Sequence, residues 1–144
     1  MNNVDMARFY VRQAEERILH AGEALNSGNY PYVIRQCQEA VELLLKAALR
    51  LTGVEPPKWH DVGPVLRREA HRFPSWFRER IPELAHISRS LRREREIAMY
   101  GDEELGLPAD EIYSRYDAEK ALEWANLVNE LVRRLLNEVL SNLK

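Results

Sequence analysis

This 144-residue sequence has a single cysteine, and it lacks both long apolar runs and the basic start of a secretory signal. Cys37 is the single cysteine, so an intrachain disulfide is excluded, and its place on an apolar helical stripe predicts core packing. No apolar run reaches the length of a membrane span, and the N-terminus lacks the basic and apolar regions of a signal peptide. These absences predict a soluble, cytoplasmic protein without a membrane partner.

The sequence also lacks the motifs of several enzyme classes. It contains no glycine-rich phosphate loop, no nucleophile elbow and no zincin sequence. The histidines show no zinc-ligand spacing, and the Glu-x-x-His spacing of a di-iron bundle occurs once, from Glu83 to His86. His60 before Asp61 can be read as an oriented base or as a structural histidine at a helix start. We therefore expect neither a metal nor a cofactor.

Charge is abundant and unevenly placed. The formal net charge is -2, so the whole chain is not strongly attracted to nucleic acid. The range 67–95, however, contains nine arginines and four glutamates, a local charge of +5, whereas the range 102–111 contains five acids and no base. This asymmetry predicts that the chain steers a polar ligand or partner toward one part of its surface.

Apolar residues recur every three to four positions along most of the chain, and no stretch alternates as a strand does. The pattern predicts long helices over about 5–26, about 31–52, about 77–100 and from 117 to the C-terminus, with a short helix near 64–71. One further turn of helix is predicted near 109–113. Mostly tight connections predict an all-α antiparallel bundle of four long helices plus one short helix, in a single domain over residues 1–144.

Polar residues and prolines suggest where these helices begin. We expect Asp5 to cap the first helix, Asp61 the short helix and Asp117 the last helix. Pro82 lies inside the run from Phe77, so that helix is either kinked at Pro82 or begins there.

The densest chemistry lies in residues 91–104, at the end of the predicted fourth long helix. Arg92, Arg93 and Arg95 fall within four positions, and an apolar turn then leads to Tyr100, a glycine stop and three acids. No other segment combines a charge cluster, an aromatic hydroxyl and a helix end so closely. This stretch is therefore the candidate functional surface.

Arg95 lies four residues after Leu91 and three before Ala98, which places it on the apolar stripe. An arginine there needs an anion, either a glutamate on a neighbouring helix or a bound phosphate. Arg92 and its neighbours can form a solvated surface or a phosphate patch. Tyr100 can cap the bundle end, or it can act with Arg95. Five residues separate the two along an ideal helix, so they meet only if the helix frays or if a second copy supplies one of them.

Several features occur in the order and spacing of one known family. They are Gly28-Asn29-Tyr30 before the second helix, Gln38-Glu39-Ala40-Val41-Glu42-Leu43-Leu44-Leu45-Lys46-Ala47 within it, His60-Asp61 after a proline-containing connector, Arg95-Glu96-Ile97-Ala98-Met99-Tyr100-Gly101-Asp102 at the end of the fourth helix, and an acidic loop through Tyr113 to Asp117-Ala118. Together, over nearly the whole chain, they resemble the HEPN family, whose name stands for higher eukaryotes and prokaryotes nucleotide-binding.

The resemblance implies a bundle that dimerises and often accompanies a minimal nucleotidyltransferase as a toxin–antitoxin pair. Active members are metal-independent ribonucleases whose fourth helix carries an arginine, a polar residue and then a histidine. Arg95 and Glu96 match the first two positions, whereas Tyr100 replaces the histidine. In some members the partner enzyme adds a nucleotide to a tyrosine just beyond the motif, and here that position is Asp102.

We therefore expect a homodimer that binds a nucleotide or RNA and pairs with a nucleotidyltransferase antitoxin. The candidate phosphate contacts are Arg92, Arg95 and Asp102. The alternative is a ribonuclease toxin with Arg95, Glu96 and Tyr100 as catalytic residues, and a second alternative is a non-catalytic interaction scaffold. A tyrosine, with a pKa of about 10, is a poor general acid or base near neutral pH, so the resemblance supports phosphate contact better than cleavage.

Overall fold

The computed structural model describes residues 2–58 and 61–143, and most of these residues are helical. In chain order the helices are α1 (Asn3–Ser27), α2 (Tyr30–Leu51), α3 (Gly63–Arg68), a 3₁₀ turn (Ala70–Arg72), α4 (Ser75–Arg78), α5 (Ile81–Arg93), α6 (Arg95–Tyr100), α7 (Ala109–Ile112) and α8 (Arg115–Asn142). Four of them, α1, α2, α5 and α8, are long. The predicted all-α bundle with four long helices is confirmed, with more short helices than the sequence indicated.

The first two helices form an antiparallel hairpin, as their short connection predicts. Gly28 ends α1 with φ +82°, a left-handed conformation that glycine adopts without strain. The side chain of Asn29 then accepts a hydrogen bond from the amide of Tyr32 and starts α2. At the far end of the hairpin, Arg50 donates to Asn3 at 3.2 Å.

Helix α2 lies at the centre of the bundle and contacts α1, α5, α6 and α8. Its wide apolar face predicts this position, because a helix with such a face needs partners on several sides. Cys37 on this helix is fully buried, which confirms its predicted place in the core. Among residues 2–58 and 61–143, no helix is both long and apolar enough to cross a membrane.

The helix caps differ from the predicted ones in three places. Asn2, and not Asp5, caps α1, because the side chain of Asn2 accepts from the amide of Asp5 at 2.8 Å. Ser114, and not Asp117, caps α8: Asp117 is the third helical residue, and its carboxylate reaches back to the amide of Ser114 in a capping box. Val62, and not Asp61, is the N-cap residue of α3 and makes no side-chain cap hydrogen bond, whereas Asp61, one residue earlier, accepts from the amide of Gly63 at 3.1 Å.

The predicted long helix over 77–100 is divided into three. Pro82 is the second residue of α5, so the helix begins there and is not kinked. A second break occurs at Glu94, whose amide bonds to the carbonyl of Leu91, three residues back, at 3.0 Å. Helix α6 starts at the next residue, Arg95. This α5–α6 junction positions the candidate functional residues.

Candidate functional site

At the α5–α6 junction, the side chain of Glu94 bonds inward and that of Arg95 faces solvent. The carboxylate of Glu94 is half-buried and accepts a hydrogen bond from the hydroxyl of Tyr113 at 2.6 Å. Arg95 is exposed, although Leu91 and Ala98 on either side of it are buried. The predicted place of Arg95 on the buried stripe is therefore wrong. The tightened turn interrupts the helix between Leu91 and Ala98, and the inward anionic position belongs to Glu94.

Arg95 lines a surface cavity of about 270 Å³ where α1 and α2 meet the α5–α6 junction, which we call the basic cleft. Its charged lining residues among those described are Arg17, Glu39, Glu42, Lys46, Lys58, Arg92 and Arg95. Five cations and two carboxylates give the cleft a local charge of +3. Such a concentration of one sign of charge attracts an anion.

The two glutamates of the basic cleft are each shared by two cations. The N–O distances are 3.5 Å for Arg17–Glu39, 3.4 Å for Arg35–Glu39, 3.7 Å for Lys46–Glu42 and 3.5 Å for Arg92–Glu42. Gln38, which is buried, donates to Glu42 at 3.1 Å and so fixes that carboxylate from behind. By contrast, Arg95 has no carboxylate within 4 Å among the residues that the structure describes. The glutamates therefore organise the cations without neutralising them.

Tyr100 does not cap the end of the bundle, because its side chain is 64% exposed. Helix α6 stays regular up to Tyr100, and the amide of Gly101 bonds to the carbonyl of Ile97 at 2.8 Å. Positions five apart on a regular helix point about 140° apart. Within one chain, therefore, fraying does not bring Arg95 and Tyr100 together.

The other predicted site residues lie outside the described lining of the basic cleft. Glu96 is exposed on α6. Asp102 pairs with Leu107 through two backbone hydrogen bonds of 2.9 and 3.0 Å, and its carboxylate accepts from the amide of Leu105 at 3.1 Å. Of the sequence-predicted residues, the structure thus brings Arg92 and Arg95 together in the cleft and assigns Asp102 a role in closing the loop after α6.

Sequence reasoning missed three cations of the basic cleft, Arg17, Lys46 and Lys58. They come from α1, α2 and the connector after α2, far along the chain from Arg95. Lys46 follows Glu42 by four residues, a spacing typical of a helical ion pair, which was the one local signal available. The approach of Arg17 depends on the pairing of α1 with α2.

Exposed apolar side chains lie next to the basic cleft on α6 and the following loop. We call this surface the α6 apolar patch, and its members are Ile97, Met99, Tyr100, Leu105 and Leu107, which are 36–71% exposed. Arg35, which belongs to the ion-pair cluster of the cleft, also lies 3.0 Å from the sulfur of Met99. Several exposed large apolar side chains in one short segment are typical of an interaction site.

Of the predicted His60–Asp61 pair, His60 lies outside the described residues. The carboxylate of Asp61 accepts from the amide of Gly63 and from the hydroxyl of Ser88, both at 3.1 Å, and so links the start of α3 to α5. Within residues 2–58 and 61–143, no group of three or more histidine, cysteine or acidic side chains is arranged to hold a metal ion.

Comparisons with known proteins agree with this architecture. The model of the HEPN domain matches residues 7–135. The chain is 30% identical over 142 residues to the Methanocaldococcus jannaschii protein named "Putative toxin MJ1304", covering 94% of this chain and 91% of that one. It also resembles the crystal structure of TT1696 from Thermus thermophilus, with a TM-score of 0.73 and 26% identity over 94% of this chain and 99% of that one. The chain therefore belongs to the HEPN domain family.

Proposed function

We propose that this HEPN protein is a toxin-like component that binds the phosphates of an RNA or nucleotide at the basic cleft. The observation that carries the proposal is Arg95, which is exposed, lies among four other cations and has no carboxylate within 4 Å among the described residues. A guanidinium matches the geometry of a phosphate and stays charged at every physiological pH. The relative named "Putative toxin MJ1304" supports the toxin-like part of the proposal.

A homodimer through the α6 apolar patch completes the site in this proposal. Arg95 and Tyr100 of one chain point apart, whereas a two-fold axis near α6 turns Tyr100 of a second copy toward Arg95 of the first. The exposed apolar side chains on α6 and its loop supply the surface that such a contact would bury. Sedimentation should therefore show a dimer at micromolar concentration, and a monomer there would overturn this part.

The proposed partner is a minimal nucleotidyltransferase acting as antitoxin, the class that the family resemblance implies. In the single chain, outside the proposed dimer, the hydroxyl of Tyr100 is accessible to such an enzyme because the side chain is 64% exposed. Co-expression with a nucleotidyltransferase from the same genome should give a complex that stays together in size-exclusion chromatography. Separate elution of the two proteins would count against this partner.

The binding test compares Arg95→Ala with Arg93→Ala, a matched control that is exposed on the same turn and outside the described lining of the cleft. Loss of a charged hydrogen bond of about 1.5–3 kcal/mol should weaken binding of a single-stranded RNA roughly 10- to 150-fold in Arg95→Ala. The slope of log K against log salt should fall by about 0.7 for one lost phosphate contact. Equal affinities of the two variants in fluorescence anisotropy would contradict the proposal.

The alternative activity is metal-independent RNA cleavage, in which the exposed hydroxyl of Tyr100 from one copy acts with Arg95 of a second copy, and the arginine stabilises transition-state charge. It predicts cleavage in the presence of a chelator that is lost in Arg95→Ala and in Tyr100→Phe. If the site is shared across a dimer, mixing the two inactive variants restores one site in each mixed dimer, or about a quarter of the wild-type rate. Intact RNA with the wild-type protein would leave binding alone as the function.

A further inference from the structure

Helix α8 carries a stripe of aromatic, basic and aromatic side chains that faces the end of α5. Tyr116, Lys120 and Trp124 recur every four residues and so share one side of α8. The Nζ atom of Lys120 lies 5.6 Å from the centre of the Trp124 ring, a cation–π distance. Tyr116 is 76% exposed, while Lys120 and Trp124 are half-buried. The stripe thus presents two rings and a positive charge to a ligand.

A second cavity of about 180 Å³ lies against this stripe. Ile34, Leu91 and Ala121 form its apolar floor, and its other polar groups come from Ser90 and Glu94 on the α5 side and from Asp117 on α8. Its volume equals that of roughly six water molecules at about 30 Å³ each, which is less than the roughly 300–1,000 Å³ typical of sites for whole drug-sized ligands. The cavity therefore suits one flat ring system better than a complete nucleotide.

The two cavities lie on either side of the same junction. Leu91 and Glu94 line the second cavity, whereas Arg92 and Arg95, each the next residue along the chain, line the basic cleft. Successive residues on a helical turn point about 100° apart, so one short segment serves both cavities. A strand that crosses the junction can therefore meet the cations on one side and the aromatic stripe on the other.

The chemistry of the second cavity matches an unpaired nucleobase. Proteins that bind single-stranded nucleic acids combine cations along the backbone with aromatic side chains on which bases stack. An apolar floor, two aromatic rings and a few polar atoms at the rim would hold a flat ring and leave its edge groups hydrogen-bonded. If Tyr116 had only a core-packing role, burial of its ring would be expected, and the ring is largely exposed.

We propose that the cavity between Tyr116 and Trp124 is a base-binding subsite, which takes one unpaired nucleobase of a single-stranded RNA. The subsite rests on the proposed function, because the same strand is the ligand of the basic cleft. It adds base contact to a site otherwise built for phosphate, and so gives the protein a preference for unpaired over duplex RNA.

The test uses two probes of equal length, a single-stranded oligoribonucleotide and an abasic ribose–phosphate oligomer. Stacking of one base should make the first probe bind wild-type protein about 5- to 150-fold more tightly than the second. Tyr116→Ala should remove most of this advantage and leave the abasic affinity unchanged. Phe9→Ala is the matched control, since Phe9 is an exposed aromatic residue on α1 beside a different cavity. Unchanged oligoribonucleotide binding by Tyr116→Ala would overturn the subsite.

Free nucleosides separate this proposal from the proposed function, because they carry no phosphate. Saturation-transfer NMR should show base protons of a nucleoside in contact with wild-type and Arg95→Ala protein, and the contact should disappear in Tyr116→Ala. The indole signal of Trp124 should shift when the nucleoside binds, and its absence from the spectrum of Trp124→Phe identifies it. If the protein contacts nucleosides but binds no oligonucleotide, phosphate binding at the basic cleft is overturned and the subsite stands. If oligonucleotide binding depends on Arg95 but is unchanged by Tyr116→Ala, the subsite alone is overturned. If neither nucleosides nor oligonucleotides bind, both proposals are overturned.

Discussion

Removal of one hydroxyl group, that of Tyr113, should destabilise the fold by loosening the α5–α6 junction. The side chain is 8% exposed, and its oxygen lies 2.6 Å from the carboxylate of Glu94 and 3.4 Å from the carbonyl oxygen of Glu94. Tyr113→Phe keeps the ring in place and leaves the half-buried carboxylate without this donor. A hydrogen bond to a charged group contributes about 1.5–3 kcal/mol, so the melting temperature should fall by roughly 5–10 °C.

Urea unfolding of wild type, Tyr113→Phe, Glu94→Gln and the double variant measures this interaction directly. The two single effects should not add, because Tyr113→Phe removes the donor of this bond and Glu94→Gln removes the charge of its acceptor, and the coupling energy should exceed about 0.5 kcal/mol. Tyr32→Phe, at an exposed tyrosine of α2, is the control and should change the free energy of unfolding by less than about 0.5 kcal/mol. A Tyr113→Phe effect as small as that of the control, or full additivity with Glu94→Gln, would refute the reasoning.

The same pair predicts how stability changes in alkali. Burial, and then the hydrogen bond and charge of Glu94, raise the pKa of Tyr113 above its usual value. Near pH 10 the Tyr113 hydroxyl therefore loses its proton in the unfolded state but keeps it in the folded state. The contribution of Tyr113 to the free energy of unfolding is fully present below that pH and declines as pH rises above it. Unfolding measured from about pH 8 to pH 11 should show the advantage of wild type over Tyr113→Phe narrowing above pH 10.

Three further changes test other parts of the fold. Gly101→Ala should lower the free energy of unfolding by about 1–3 kcal/mol or more, since Gly101 has φ +74° and an added Cβ would lie 2.3 Å from the carbonyl oxygen of Leu107. Gly22 lies within α1, and an added Cβ there would have no neighbouring atom within 4 Å, so Gly22→Ala should raise the free energy of unfolding by about 0.5–1 kcal/mol in the same urea titration. Ser114→Ala should cost about 1 kcal/mol by the same measure, because the capping box of α8 is lost. Burial raises the pKa of the Cys37 thiol to about 12, so a thiol reagent at neutral pH should label it only at the rate of unfolding.

Much of the fold could be predicted because helical periodicity and helix-stop residues are local signals. The hairpin of α1 and α2 and the central place of α2 follow from a glycine stop and an unusually wide apolar face. The predicted cap of α8 was wrong although the local sequence contains the signal for the correct one. Ser114 precedes Asp117 by three residues, which is a capping-box spacing, and this pattern begins α8 at Arg115 and not at Asp117.

The site was harder to predict because its geometry depends on contacts between distant residues. Leu91 and Ala98 are seven residues apart and both buried, so the segment reads as one continuous stripe that includes Arg95. The break at Glu94 is held by Tyr113, which lies 19 residues further along the chain. Periodicity contains no information about that contact. The family resemblance pointed to Arg95 all the same, because it depends on the order of residues and not on which way they face.

The position of the Glu94 carboxylate leaves the charge of the basic cleft intact. Successive residues on a helical turn point about 100° apart, so Glu94 and Arg95 face different sides of the junction. At about 4 Å a carboxylate and a guanidinium near a protein surface attract each other by roughly 4 kcal/mol, enough to compete with a bound phosphate. Because Tyr113 holds this carboxylate on the side of the second cavity, Arg95 keeps its charge for a ligand. An exposed Arg95 therefore fits phosphate binding better than the buried, glutamate-paired arginine that the sequence left open.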